Sequence, residues 1–230
     1  MNIAIIPARG GSKRVPRKNI RDFLGRPILA YSIEAALQAG CFDEVIVSTD
    51  DPDIAALARA HGAEVPFLRS AATSDDHATT ADVLVEVLQE YAQRARSFEL
   101  ACCIYPTAPF VTAVDLREGA ARLQADESLA GLLPVTRFSY PIQRALRVVE
   151  GRLSMMQPEH LETRSQDLEP AFHDAGQFYW LRVSRFLQTR SLMASPTAAM
   201  VLPEWRVQDI DDEDDWCLAE LKFRMAQERG

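Results

Sequence analysis

The sequence has no apolar run approaching the ~18 residues that span a bilayer. Its first apolar stretch stops at Ile6, where arginine and glycine follow, so it does not read as a signal peptide. Cysteine is scarce: Cys41, Cys102, Cys103 and Cys217, with no C-x-x-C pair. A zinc site or a disulfide framework is therefore not expected, and the thiols read as free and buried. Cys102 and Cys103 are adjacent in an apolar run, so on a strand they would face opposite sides. The Walker spacing G-x-x-x-x-G-K-[ST] and the dinucleotide fingerprint G-x-G-x-x-G are both missing. There is no internal repeat and no low-complexity linker. These absences leave a cytoplasmic protein with no membrane partner as the expectation.

What is present is concentrated at the front. The apolar run Ile3–Ile6 leads into Pro7-Ala8-Arg9-Gly10-Gly11-Ser12-Lys13-Arg14-Val15-Pro16-Arg17-Lys18-Asn19. Glycine backbone lets N–H groups approach an anion closely, and the cations neutralise it. Arginine grips two oxygens at once, whereas lysine acts as a mobile point charge. The formal net charge is −8, yet residues 1–26 hold seven cations against Asp22 alone, a local +6 that leaves −14 for the rest. A cationic patch on an acidic protein suits a small polyanion better than nucleic acid, which would meet repulsion elsewhere. A merely solvated basic loop is the plainer alternative.

Along the chain, strand and helix alternate. Strands are expected at Asn2–Ile6, Glu44–Ser48, Leu100–Ile104 and Leu132–Val135, with Glu64–Phe67 short and extended. Pro27 reads as the first residue of a helix that Gly40 stops. Asp51-Pro52 starts a second helix ending near His61-Gly62. Thr79 and Thr80 precede an amphipathic helix with Val83, Leu84, Val87, Leu88 and Tyr91 on one face. Thr112-x-x-Asp115 reads as a capping box for the helix to about Ala125. This is an α/β pattern with a mostly parallel sheet covered on both faces, and ligands bind beyond its C-terminal strand ends. The loops there are Pro7–Asn19, Thr49–Asp51 and Tyr105–Pro109. After Thr136 the rhythm changes: a hairpin over Arg144–Met156, a polar stretch His160–Ala175, an aromatic strand Gly176–Leu181, a short helix, strands near Ala199–Leu202 and Arg206–Gln208, and a closing helix Glu213–Gln227. The chain reads as one domain, 1–230, with about 137–175 as an insertion too small for its own core.

Several residues admit two readings. Asp209 and Asp211, two apart, would share one face of a strand end and suit Mg²⁺, or they could cap the closing helix. Arg69 could face a ligand or form a surface ion pair. His173 could serve sugar recognition or sit in a structural role.

Four motifs in order then carry a resemblance. Pro7–Lys13 with Lys18-Asn19, Tyr105-Pro106-Thr107-Ala108-Pro109, the pair Arg164–Leu168 and Asp174–Tyr179, and Gln208-Asp209-Ile210-Asp211 resemble the CMP-sialic acid synthetase family of cytidylyltransferases over nearly the whole chain. The tracts Arg137–Ala145 and Arg164–Trp180 are most similar to the branch whose sugar is pseudaminic acid. Legionaminate or N-acetylneuraminate are the alternative sugars, and a non-catalytic nucleotide sensor is the alternative of another class. Tyr105 stands where sialic acid enzymes usually carry Gln.

The resemblance implies a three-layer Rossmann-like nucleotide-sugar transferase fold with a small dimerisation insertion. It implies coupling of CTP to an acidic nine-carbon sugar, with release of pyrophosphate, for surface glycan or flagellin glycosylation. Arg9, Lys18, Asp209 and Asp211 would be catalytic, the two aspartates holding Mg²⁺ or Mn²⁺. Ala8, Arg9, Gly10, Gly11, Ser12, Lys13, Lys18, Asn19, Arg69 and Thr79 would bind the nucleotide. Tyr105, Gln143, Arg144, Arg164, Gln166, His173, Asp174 and Gln177 would meet the sugar. In the family the insertion reaches a neighbouring subunit, so a homodimer is implied, with some sugar contacts made in trans.

Overall fold

Every residue from Leu100 to Ile104 is buried, as a strand covered on both faces requires. The computed structural model describes residues 1–12, 14–74 and 78–229. Lys13 therefore lies outside the described residues, as do Asp75 and His77. The strands are β1 Asn2–Pro7, β2 Asp22–Phe23, β3 Arg26–Pro27, β4 Glu44–Ser48, β5 Leu100–Ile104, β6 Gly131–Arg137, β7 Leu146–Val149, β8 Arg152–Met155, β9 Phe172–Asp174, β10 Phe178–Arg182 and β11 Thr197–Val201. The helices are α1 Ile28–Ala39, α2 Pro52–Ala60, α3 Thr80–Gln93, α4 Ala113–Ala125, α5 Val183–Thr189 and α6 Glu213–Arg229. No helix among the described residues is long and apolar enough to cross a membrane.

The central sheet runs β11-β6-β10-β5-β1-β4, with β9 pairing β6 at one end. β4, β1 and β5 are parallel neighbours, as are β6 and β11. β10 lies antiparallel between β5 and β6. Alternation along the strands divides the core. Ala4, Ile6, Leu100, Cys102 and Ile104 pack towards α1, α2 and α4. Ile3, Ile5, Ala101 and Cys103 pack towards α3 and α5. Cys102 and Cys103 thus face opposite layers, and three layers result.

Local signals set the element ends. Asp51 accepts from the N–H groups of Asp53 and Ile54, and capping boxes open α3 at Thr79 and α4 at Thr112. Such caps contribute about 1 kcal/mol each. Gly40 ends α1 with φ 62°, a left-handed conformation that glycine adopts without a Cβ penalty. Pro27 caps α1 rather than occupying its first turn.

Three further expectations are corrected. Arg206–Gln208 is not a strand: Glu204–Arg206 forms a 3-10 turn, and the Arg206 guanidinium is spent on Asp115 and the Phe110 carbonyl. Gly176 precedes the aromatic strand, which begins at Phe178. Cys217 is exposed on α6 rather than buried.

A third apolar cluster brings Val15, Phe23, Ile28, Phe110, Ile210 and Trp216 together. Val15 belongs to the basic loop and Ile210 to the acidic segment, so one small core fixes both. Burying each such side chain is worth about 1.5–3 kcal/mol. Residues 138–171 make an excursion from the sheet, to which the chain returns as β9 beside β6. In its hairpin, Leu146 pairs Met155 and Val148 pairs Leu153 on one face, while Arg147–Ser154 and Val149–Arg152 take the other. The apolar face stands open: Val148 is 67% and Leu153 68% exposed.

Candidate active site

A cleft of about 460 Å³ opens beyond the C-terminal ends of β1 and β5. Its floor is Pro7 on one side and Tyr105, Pro106 and Thr107 on the other. Arg9, Ser12, Arg14, Lys18 and Asn19 form one wall, and Arg69, Thr73, Thr79 and Thr80 another. Asp209 and Asp211 stand at its edge. A volume of this size suits a ligand as large as a nucleotide.

Each group is held for a physical reason. Asn19 is buried, and its amide donates to the Arg9 carbonyl at 2.9 Å, closing the loop on itself. Arg69 is 9% exposed. Its guanidinium donates to the Ser48 carbonyl at 2.6 Å and to the Ser48 hydroxyl at 3.3 Å. The fully buried Ile210 turns Asp209 and Asp211 to the cleft. Asp211 pairs with Arg14 at 2.8 Å; both are well exposed, so the pair adds little stability. Lys18 donates its ammonium to the Ile210 carbonyl. Burial pushes the Lys18 pKa down, against the pull of Asp211 and Asp209. Burial, then repulsion from Asp211, pushes the Asp209 carboxyl up, with Lys18 opposing. Among the described residues no group of three or more His, Cys, Asp or Glu is placed to hold a metal ion. A cation here would draw on the two aspartates and on ligand oxygens.

The expected nucleotide residues thus divide. Arg9, Ser12, Lys18, Asn19, Arg69 and Thr79 line the cleft, as do both metal candidates. Ala8, Gly10 and Gly11 do not line it. Ala8 extends the strand by donating to the Ser48 carbonyl at 2.9 Å, and the Gly10 N–H donates to Asp50 at 3.2 Å. Gly10 is needed for a close approach instead: a Cβ there would lie 2.6 Å from Asp51 Oδ2. Thr79 spends its hydroxyl on the α3 cap, donating to Asp82 at 2.7 Å.

Of the expected sugar residues, only Tyr105 lines this cleft. Gln166 faces a separate cavity of about 620 Å³, beside Phe138, Tyr140 and Leu168. Gln143 donates to the Glu169 carbonyl at 2.9 Å, and Arg144 reaches Ser165 at 3.4 Å. Arg164 caps the turn Ser165–Asp167. His173 packs against Phe138, ring centroids 4.8 Å apart and the planes tilted by 58°. Asp174 accepts from the Gly176 N–H at 2.8 Å and from the Tyr179 hydroxyl at 2.6 Å. Gln177 is 1% exposed, and its amide donates to the Arg206 carbonyl at 2.5 Å. Its Oε1 is buried without a hydrogen-bond partner.

Residues 3–182 match the cytidylyltransferase family. The chain belongs to that family. It is 40% identical to a pseudaminic acid cytidylyltransferase of Campylobacter jejuni subsp. jejuni serotype O:2, covering 99% of this chain and 98% of the relative. It is 31% identical to a CMP-N,N'-diacetyllegionaminic acid synthase of Legionella pneumophila subsp. pneumophila, covering 98% and 97%. Its fold is similar to the solved structure of a CMP:2-keto-3-deoxy-manno-octonic acid synthetase complexed with CTP, with TM-score 0.69, 22% identity and 99% of each chain covered.

Within this cytidylyltransferase two residues of the cleft wall, Arg14 and Thr73, and one behind it, Asp50, escape the sequence reading. Arg14 was visible as a member of the basic cluster, yet nothing local set it apart from Arg17, which pairs instead with Asp53. Asp50 lay in a flagged loop, but its bond to Gly10 joins residues 40 apart. Thr73 gave no signal, because only the turn Ala71–Thr73 brings it to the wall.

Proposed function

We propose that this protein transfers the cytidylyl group of CTP to the anomeric hydroxyl of pseudaminic acid, giving the CMP-sugar, pyrophosphate and a proton. The end-to-end similarity to the Campylobacter enzyme carries this reading. The cleft supports it, because cations on one wall and a carboxylate pair at the edge suit a metal-bound triphosphate. Such transfer depends on alignment and charge neutralisation more than on covalent chemistry.

Arg9, Ser12 and Lys13 would grip the triphosphate, with Arg14 beside them. Lys18 would neutralise charge at the α-phosphate, and Asn19, Arg69 and Thr79 would contact the nucleoside end. Asp209 and Asp211 would hold Mg²⁺ or Mn²⁺. Two carboxylates turned outward from one buried isoleucine fit a hard cation that keeps its other positions for phosphate oxygens. Bound there, the ion supplies charge stabilisation on the transferring and leaving oxygens.

Tyr105 would meet the sugar from the cleft floor. Gln143, Arg144, Arg164 and Gln166 sit on the excursion and His173 on β9, away from this cleft, which supports their acting on a neighbouring subunit's site in a homodimer. The exposed apolar hairpin face supports the same arrangement, since a second copy would cover it. Asp174 and Gln177 would act through the backbone they hold. Use of CTP supports a cytoplasmic location.

Pyrophosphate release from CTP and Mg²⁺ tests the reading, with pseudaminic, legionaminic, N-acetylneuraminic and eight-carbon ulosonic acids as acceptors. Release with pseudaminic acid is expected. Release with another acceptor alone overturns the sugar, and release with none overturns the transfer.

A further inference from the structure

Among the described residues Arg69 is the most enclosed cation on the cleft wall, and its described hydrogen bonds all go to neutral oxygens. Beyond Ser48, its Nη1 reaches the Thr73 carbonyl at 3.4 Å. Ser48 thus holds the Nε–Nη2 edge of the guanidinium, and the turn Ala71–Thr73 holds its Nη1 corner. That turn is short and mostly exposed, so its own backbone bonds fix it poorly.

Glu86 supplies the missing restraint. Its carboxylate accepts from the Ser70 N–H at 2.8 Å, from the Ser70 hydroxyl at 3.2 Å and from the Thr73 hydroxyl. Charge-assisted bonds of this kind are roughly twice as strong as neutral ones. Glu86 also stands on a rigid support. Its neighbours Leu84, Val85 and Val87 are buried, and a capping box starts the helix. Thr79 caps α3, and Val83 and Glu86 follow along the helix three residues apart. The first two line the cleft, and the third clasps the turn on its far side.

We propose that Glu86 is a positioning residue for the nucleotide: it clamps Ser70 and Thr73 to α3, so that Arg69 and Thr73 face the cleft. This rests on the cleft being the CTP site. Glu86 itself does not line the cleft. Its charge also helps Arg69 keep its proton against burial, together with Asp50.

The test uses the full chain with Glu86→Ala and Glu86→Gln. Calorimetry with CTP and Mg²⁺ gives the Kd, initial rates give kcat and both KM values, and thermal melts give Tm. Glu86→Ala is expected to weaken CTP binding about tenfold, the scale of one lost charged hydrogen bond. The KM for the sugar and the kcat at saturating CTP are expected to stay within about twofold of the parent. Glu86→Gln keeps an oxygen for the Ser70 N–H, and is expected to restore most of the affinity. Unchanged CTP affinity in Glu86→Ala overturns the proposal. So does a parallel loss of kcat and both KM terms in the two variants with a matching fall in Tm, the mark of a merely structural role. If the parent protein binds no CTP, the reading of the cleft itself has failed, which the parent titration shows before any variant is made.

Discussion

Lys18 and Ile210 are 192 residues apart in sequence, yet the lysine ammonium donates to the isoleucine carbonyl and so comes to lie beside both Asp209 and Asp211. The arrangement joins the basic loop to the acidic segment through one backbone oxygen. Arg21 reinforces it, pairing with Glu213 at 2.6 Å and lying 4.5 Å from the Trp216 ring centre.

The first prediction concerns the carboxylate pair. Replacing Asp209 by Ala removes a carboxylate at the cleft edge while leaving Ile210 in its core. Turnover with Mg²⁺ is expected to fall by at least about a hundredfold. The Tm is expected to stay within about 2 °C, as for a surface change. Full activity in this variant would refute the metal assignment.

A second prediction follows from the α3 cap. Thr79 lowers the Asp82 pKa by donating its hydroxyl and its backbone N–H to the Asp82 carboxylate. A carboxylate with a depressed folded-state pKa stabilises the fold above its ordinary value of 3.8 and ceases to do so as pH falls through the folded value. Asp82→Ala should therefore lower Tm at pH 7 and approach the parent as the solution is acidified below that range. Melts between pH 2.5 and 7 read the difference; a gap that is constant with pH would show that the carboxylate charge contributes nothing.

The hairpin supplies a third. Leu153→Asp places a charge on the open apolar face. Burying an aliphatic side chain is worth about 1.5–3 kcal/mol, so its loss plus a buried charge should weaken self-association by well over tenfold. Sedimentation should show the parent as a dimer and the variant as a monomer. CTP binding should persist while sugar-dependent turnover falls. A monomeric parent, or a variant that dimerises normally, counts against the two-copy site.

The strands of the first half were legible because their apolar runs are local: Glu44–Ser48 and Leu100–Ile104 coincide with β4 and β5. The capping box at Thr112 was legible for the same reason. The direction of β10 was not, since Phe178–Arg182 carries the same apolar signal in either orientation and only its neighbours β5 and β6 choose. In the site, the basic loop was readable because its residues are contiguous. Glu86 and Asp50 were not, because each acts through a bond to another segment. The sugar candidates formed a motif in sequence, but the fold scatters them: Tyr105 lines the cleft, Gln177 is buried, Asp174 is occupied by Gly176 and Tyr179, His173 lies on β9, and Gln143, Arg144, Arg164 and Gln166 ride on the excursion.

The antiparallel β10 has a consequence for how the chain is built. Until residues 178–182 are in place, β5 and β6 have no bridge, and each shows an unpaired edge. The chain must make the whole of 138–174 before it can close that gap. A nascent chain truncated within the excursion therefore carries the half-sheet β4-β1-β5 with an open edge at β5 and a lone β6, whose partners β10 and β11 are still to come. The piece that completes the sheet arrives only after the piece that reaches outward, so the hairpin is made before any finished cleft exists.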